Sequence, residues 1–208
     1  EAIERGYIVP YYQPVVWSDT KELCGCEALA RWIDPIYGQL APYEFIPVLE
    51  EYRLIHKLDK SIIESVCRDI RDSIDNNRKT VPVSINFSRL DFELMDAVGT
   101  LETLVKKYNI PKELIHVEVT ESALIDNFSE LNKMMNKIKE LGYSLWLDDF
   151  GSGYSSLGSL SSFPLNILKL DISFVRNFRE NEIVIENIIK MAHKLGLLTV
   201  AEGAETNE

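Results

Sequence analysis

Apolar residues along the chain follow two rhythms. Short apolar runs predict strands over residues 7–16, 23–30, 81–87, 114–120, 143–147, 167–170 and 197–201. Helical patterns fill the intervals at 42–75 (read as two helices), 89–108, 128–141 and 174–195. Leu131, Met134, Met135, Ile138 and Leu141 recur at helical spacing and give their helix an apolar stripe. That helix is expected to stop at Gly142, where glycine accepts a left-handed cap. From Val81 onward, alternating strands and helices imply a mainly parallel sheet with crossover connections. The first two strands are separated only by residues 17–22, too few for a crossover, so they are expected to pair as an antiparallel hairpin. Such wiring fits a doubly wound sheet or most of an eightfold barrel. A complete barrel takes about 250 residues, so 208 residues leave it short by one strand–helix unit.

Composition narrows the picture. With 46% hydrophobic and 26% charged residues, the chain has the make-up of one ordinary globular domain spanning residues 1–208. No apolar run reaches the ~18 residues of a membrane span, and no signal peptide opens the chain. Residues 1–6, without an initiator Met, read as the end of a linker or helix. The expectation is a cytoplasmic domain of a longer parent, which is free to carry a membrane anchor elsewhere. Cys24, Cys26 and Cys67 form no C-x-x-C pair and read as packed thiols in a reducing compartment. Three histidines are too few for a His-rich metal site. The net charge of −11 disfavours duplex nucleic acid, which needs a basic footprint. A phosphate-bearing substrate must then be held by local Arg and Lys residues or by divalent cations.

The candidate chemistry lies at the strand ends. Glu27 and Arg31, Asn86, Glu118, the pair Asp148-Asp149, Lys169 with Asp171, and Glu202 with Glu205 all follow or close apolar runs. Any one of them reads as a helix cap or a half-exposed strand residue. Together they converge, because parallel strands bring their C-terminal ends to one face. Several carboxylates gathered there need cations to offset their burial. An oxygen-rich set without thiol or imidazole favours Mg²⁺ or Mn²⁺, and adjacent aspartates suit two ions. Lys169 is placed to orient a water or screen developing charge, and Arg31 to clamp a phosphate. The glycines of residues 150–157 are a weak phosphate-loop signal and read better as a mobile active-site loop.

On these residues the sequence resembles the EAL family of cyclic-di-GMP phosphodiesterases. The resemblance runs through Tyr12-Gln13-Pro14-Val15, Glu27-Ala28-Leu29-Ala30-Arg31-Trp32, Phe45-Ile46-Pro47 with Glu50, Ile85-Asn86-Phe87-Ser88 and Glu118-Val119-Thr120-Glu121. It continues through Asp148-Asp149-Phe150-Gly151-Ser152-Gly153-Tyr154-Ser155-Ser156, Leu168-Lys169-Leu170-Asp171 and Ala201-Glu202-Gly203-Ala204-Glu205-Thr206. It implies an α/β fold, a modified TIM (β/α)8 barrel with an antiparallel first strand, whose last βα unit is missing from this chain. It also implies hydrolysis of cyclic-di-GMP to linear pGpG with two Mg²⁺ or Mn²⁺ ions, and inhibition by Ca²⁺. Glu27, Asn86, Glu118 and Asp148 would hold one ion, and Asp148, Asp149 and Glu202 the other. Lys169 would contact the nucleophilic water, with Glu27, Asp149 and Glu202 also catalytic. Gln13, Leu29, Arg31, Asp171 and Glu205 would bind substrate, and Glu121 would anchor the loop after Asp149. A homodimer and an upstream sensor or cyclase-like domain are further implications. Asn166 and Ala204 depart from the family's usual Asp and Val. The alternatives are a cyclic-di-GMP receptor or regulatory interaction domain without turnover, and an unrelated metal-dependent barrel enzyme.

Overall fold

The first two strands form the expected hairpin. In the computed structural model, which describes residues 1–126, 128–151 and 160–203, β1 (Ile8–Val16) pairs antiparallel with β2 (Leu23–Asp34), with Ile8 opposite Trp32 and Gln13 opposite Glu27. Strand β2 runs past the sequence reading to Asp34, because a short β3 (Gly38–Leu40) folds back on its end. The turn between them is local chemistry: Asp34 Oδ1 accepts the N–H groups of Ile36 and Tyr37 at 2.8 and 3.0 Å.

Two helices follow, α1 (Pro42–Glu51) and α2 (Ile55–Asp75). Helix α1 begins with proline, whose missing N–H costs nothing at that position, and Glu44 reaches back to the Ala41 N–H at 2.6 Å. Helix α2 buries Ile55, Leu58, Ile62, Ile63, Val66, Cys67 and Ile70 along one face. Strand β4 (Val83–Phe87) then lies parallel to β2, with Glu27 beside Ser84. The pattern at 89–108 resolves into two helices, α3 (Arg89–Leu94) and α4 (Ala97–Lys107). Met95 is extended, and Asp96 caps α4 by accepting the Gly99 N–H at 2.9 Å. Apolar periodicity survives such a break, which is why the pattern alone runs the two together.

By density of internal contacts the chain forms two compact units, residues 1–117 and 118–208. The boundary falls inside β5 (Ile115–Thr120), between Val117 and Glu118. The first unit closes its core on Ile63, Val66, Cys67, Ile85, Leu101 and Ile115. In the second unit β6 (Ser144–Phe150), β7 (Ile167–Leu170) and β8 (Leu198–Ala201) run parallel in that order. Helices described in it include α5 (Ala123–Asp126), α6 (Phe128–Glu140), α7 (Ile172–Arg176) and α8 (Phe178–Lys194). The predicted stripe of α6 is buried at Leu131, Met135 and Ile138, with Met134 and Leu141 half-covered. Asn166 ties all three strands together. Its backbone N–H donates to Leu145 O, its side-chain oxygen accepts the Leu145 N–H, and its carbonyl accepts the Leu198 N–H. An amide oxygen accepts as well as a carboxylate would there, without placing a charge at the base of the sheet.

No helix among the described residues is long and apolar enough to cross a membrane. The three cysteines are free thiols, Cys67 buried and the other two half-covered.

Candidate active site

Each unit carries part of the constellation read from the sequence. In the first, strand alternation places Glu27, Leu29 and Arg31 on one face of β2. Gln13 joins them, because residues directly opposite in an antiparallel pair share a face. Glu27 is buried, Leu29 and Arg31 are half-covered, and Gln13 is exposed. Asn86, on the neighbouring β4, donates from Nδ2 to Glu27 Oε1 at 3.1 Å. This bond orients the amide so that its oxygen is turned away from the carboxylate it donates to. Arg31 donates to its neighbour's carbonyl at Ala30, and its guanidinium sits 5.8 Å from the centre of the Tyr11 ring. Packing along an aromatic face limits the side chain's freedom before any anion arrives.

The second unit holds the denser charge. Lys169, in the middle of β7, is 3% exposed, and its Nζ lies 2.9 Å from Glu118, 3.0 Å from Asp148 and 2.9 Å from Glu202. A buried ammonium is tolerated only with such compensation. Oxygens of Asp148, Asp149 and Glu202 come within 4.8 Å of one another. Two consecutive strand residues normally face opposite sides of a sheet, so gathering both aspartates takes a special backbone. The β6–β7 register shifts between Leu147 and Phe150, and Asp149 adopts φ +56°. A non-glycine residue held there stores strain, commonly at a functional site. Burial, followed by the charges of Asp148, Asp171 and Glu202, lifts the Asp149 carboxyl to about 6, with Lys169 opposing.

Supporting contacts surround this cluster. Glu121 is buried; its Oε2 accepts the Gly151 N–H at 2.7 Å and its own N–H donates to Asp148 O. It thus grips the backbone on both sides of Asp149. Asp171 accepts the Ser173 N–H at 2.8 Å, as a residue preceding a helix does. Gly203 follows Glu202 with φ +71°, and a Cβ there would lie 2.5 Å from Ile172 Cγ1. Only glycine lets the chain turn this close to α7 after presenting Glu202. Glu205, Ala204 and residues 152–159 of the glycine-containing segment lie outside the described residues.

The EAL domain family model matches residues 1–208. The chain belongs to the EAL family. Among curated proteins it is 39% identical over 209 residues to the signaling protein YkoW of Bacillus subtilis, covering 99% of this chain and 26% of that protein. It is 34% identical over 210 residues to the cyclic di-GMP phosphodiesterase NbdA of Pseudomonas aeruginosa, covering 99% of this chain and 27% of NbdA. The chain therefore spans about a quarter of the length of these relatives. Among solved structures it matches that of the PaMucR phosphodiesterase in complex with c-di-GMP, with TM-score 0.91 and 29% identity, over 99% of this chain and 85% of that one. The EAL fold, a modified α/β barrel with an antiparallel first strand, is the class expected from the sequence.

Within this EAL chain one arrangement escaped the sequence reading. Burial, then the neighbouring charge of Asp91, holds the Asp59 carboxyl on α2 well above the usual carboxylate range, and burial raises Asp91 in the cap of α3. A signal was present, since Asp59 falls in the apolar stripe of Ile55, Leu58, Ile62 and Val66, where an unpartnered carboxylate would be costly.

Proposed function

We propose that this chain hydrolyses one phosphodiester of cyclic-di-GMP to give linear pGpG, with two divalent ions, within a bacterial second-messenger signalling protein. The observation that carries the reading is the gathering of Asp148, Asp149 and Glu202 around the buried Lys169. Family membership supplies the substrate class. The donor set fits the implied metals: all oxygen, crowded enough to raise Asp149, and relieved by added positive charge. Two Mg²⁺ or Mn²⁺ ions would supply Lewis acidity and a water that is nucleophilic near neutral pH. By correspondence with the family motifs, Glu27, Asn86, Glu118 and Asp148 would hold one ion, and Asp148, Asp149 and Glu202 the other.

The chain's own groups do the rest. Lys169, the cation of the acidic cluster, orients the attacking water through its N–H donors and screens charge that develops on the phosphoryl oxygens. Gln13, Leu29 and Arg31 bind substrate from the face of the first hairpin, with Arg31 offering a planar fork to a phosphate. Asp171 and Glu205 complete the substrate contacts. Glu121 holds the backbone beyond Asp149, so that both aspartates keep their orientation. Ca²⁺, larger and content with looser coordination, is expected to bind and block turnover. A homodimer and an upstream sensor or cyclase-like domain fit the same reading.

Product analysis tests it. Incubation of cyclic-di-GMP with the 208-residue chain and Mn²⁺ should yield pGpG, and Glu27→Ala should reduce the yield by two orders of magnitude or more, roughly the loss of one strong electrostatic contribution. Tight binding of the dinucleotide without pGpG would overturn turnover and leave a receptor.

A further inference from the structure

The first hairpin carries an aromatic ring that the proposed chemistry does not use. Along β1, Val9, Tyr11, Gln13 and Val15 alternate onto one face. The antiparallel register sets Tyr11 directly across from Leu29, as it sets Gln13 across from Glu27 and Val9 across from Arg31. Residues opposite one another in such a pair share a face, so Tyr11 stands among Gln13, Leu29 and Arg31. Of the β1 and β2 residues on this face, Tyr11 alone is aromatic. The other face is occupied by packing. Ile8 and Ala28 are buried there, and the Tyr12 hydroxyl donates to Asp69 Oδ2 on α2 at 2.6 Å. That bond, made across 57 residues of sequence, pins β1 so that Tyr11 and Gln13 keep to the face of Glu27. Tyr11 is 47% exposed, and its ring centre lies 5.8 Å from the Arg31 guanidinium carbon. A half-exposed tyrosine needs no explanation by itself; its place beside a phosphate clamp does.

We propose that Tyr11 is a further substrate-binding residue, whose ring stacks on one guanine base of cyclic-di-GMP while Arg31 holds the adjoining phosphate. The proposal rests on the reading of Gln13, Leu29 and Arg31 as substrate groups. In a nucleotide the base hangs one ribose away from its phosphate, so a phosphate held by Arg31 delivers a base to the surface next to it. Tyr11 is the π surface found there. One guanidinium nitrogen of Arg31 donates to the Ala30 carbonyl at 2.9 Å. The remaining N–H groups of the fork stay available to an anion while its flat side rests by the ring. Stacking also suits the charge of this chain. A net charge of −11 opposes an anionic ligand, and an aromatic contact adds affinity without relying on a positive charge.

The test is equilibrium binding of cyclic-di-GMP in Ca²⁺, where turnover is expected to be blocked, with KM and kcat measured in Mn²⁺. Tyr11→Leu should weaken affinity about 5- to 100-fold, the range that base–aromatic stacking supplies. KM should rise by a similar factor with kcat little changed, as when binding common to ground and transition states is removed. Tyr11→Phe keeps the ring and should bind like wild type. In an Arg31→Met background, Tyr11→Leu should weaken binding by the same factor again. Disappearance of the loss in that background would mean that Tyr11 only steadies Arg31, and would overturn the stacking contact. Equal affinity of wild type and Tyr11→Leu would overturn it as well. Tyr12→Phe, which loses the Asp69 bond on the other face, controls for a general loosening of β1. A loss there as large as that of Tyr11→Leu would also count against Tyr11. Wild-type binding without pGpG formation would sink hydrolysis alone, because the Tyr11 comparison is read from affinity. Absence of wild-type binding would sink the stacking contact together with the reading on which it rests.

Discussion

Lys169 is the residue on which the second unit's charges balance. Three carboxylates share its ammonium, so replacing it removes a chemical group and a structural counter-charge together. In Lys169→Met, turnover should fall by at least two orders of magnitude, and the metal-free chain should lose about 3–5 kcal/mol, the usual consequence of orphaning buried charge. Mn²⁺ affinity should stay within about tenfold of wild type, because the acidic ligands remain and their repulsion favours a cation. Calorimetric titration beside the activity assay separates these effects, and equal loss of both would mean that Lys169 is a metal-site scaffold only. Asp149 gives the opposite sign. Its carboxyl is raised to about 6 from an ordinary 3.8, so its stabilising effect is present in acid and lost as pH climbs past 6. Asp149→Asn should therefore raise the melting temperature of the metal-free chain near pH 8. The gain should be on the order of 1 kcal/mol, since the group is only half-buried and solvent screens part of the repulsion.

Among the elements, α4 shows how a cap can override propensity. Replacing glycine by alanine inside a helix ordinarily stabilises by about 1 kcal/mol. At Gly99 a Cβ would lie 2.0 Å from Asp96 Oδ2, the carboxylate that caps the helix through the Gly99 N–H. Gly99→Ala should therefore force the cap out and be neutral or destabilising by about 1 kcal/mol in urea melts. Measured stabilisation near the full propensity gain would show that Asp96 has another equally good rotamer. At the same scale, strand and helix positions were largely legible, because periods of two and of 3.6 residues are printed locally in the sequence. What was not legible was punctuation: the added β3, the break at Met95, and the bulge that turns Asp149. Each depends on backbone bonds to a partner strand or on one side chain's reach.

For the whole molecule, the excess of 11 negative charges sets how ligands enter. A metal-free chain should bind an anionic dinucleotide poorly, because acidic groups dominate the proposed site. Mn²⁺ at about a hundred times its dissociation constant should stabilise the chain by roughly 2.7 kcal/mol. That corresponds to a rise of some 5–10 °C in melting temperature for a chain of this size. Thermal melts with and without a chelator check this, and Asp149→Asn should lose most of the rise. An unchanged melting temperature in saturating Mn²⁺ would argue against the metal site as assigned.

The order of strands and helices, the antiparallel opening hairpin and the acidic character of the strand ends were already determined by the sequence. Each follows from local periodicity, loop length or residue chemistry. Motif spacing also carried the EAL resemblance. Tertiary structure alone decided that Lys169 would pair with three carboxylates and that Asn86 would donate to Glu27. Those partners lie 51 residues apart for Lys169 and Glu118, and 59 apart for Asn86 and Glu27. No local pattern encodes such distances. They are set when burial of the apolar faces fixes the register of strands and helices, and the charges carried on those elements must then find one another.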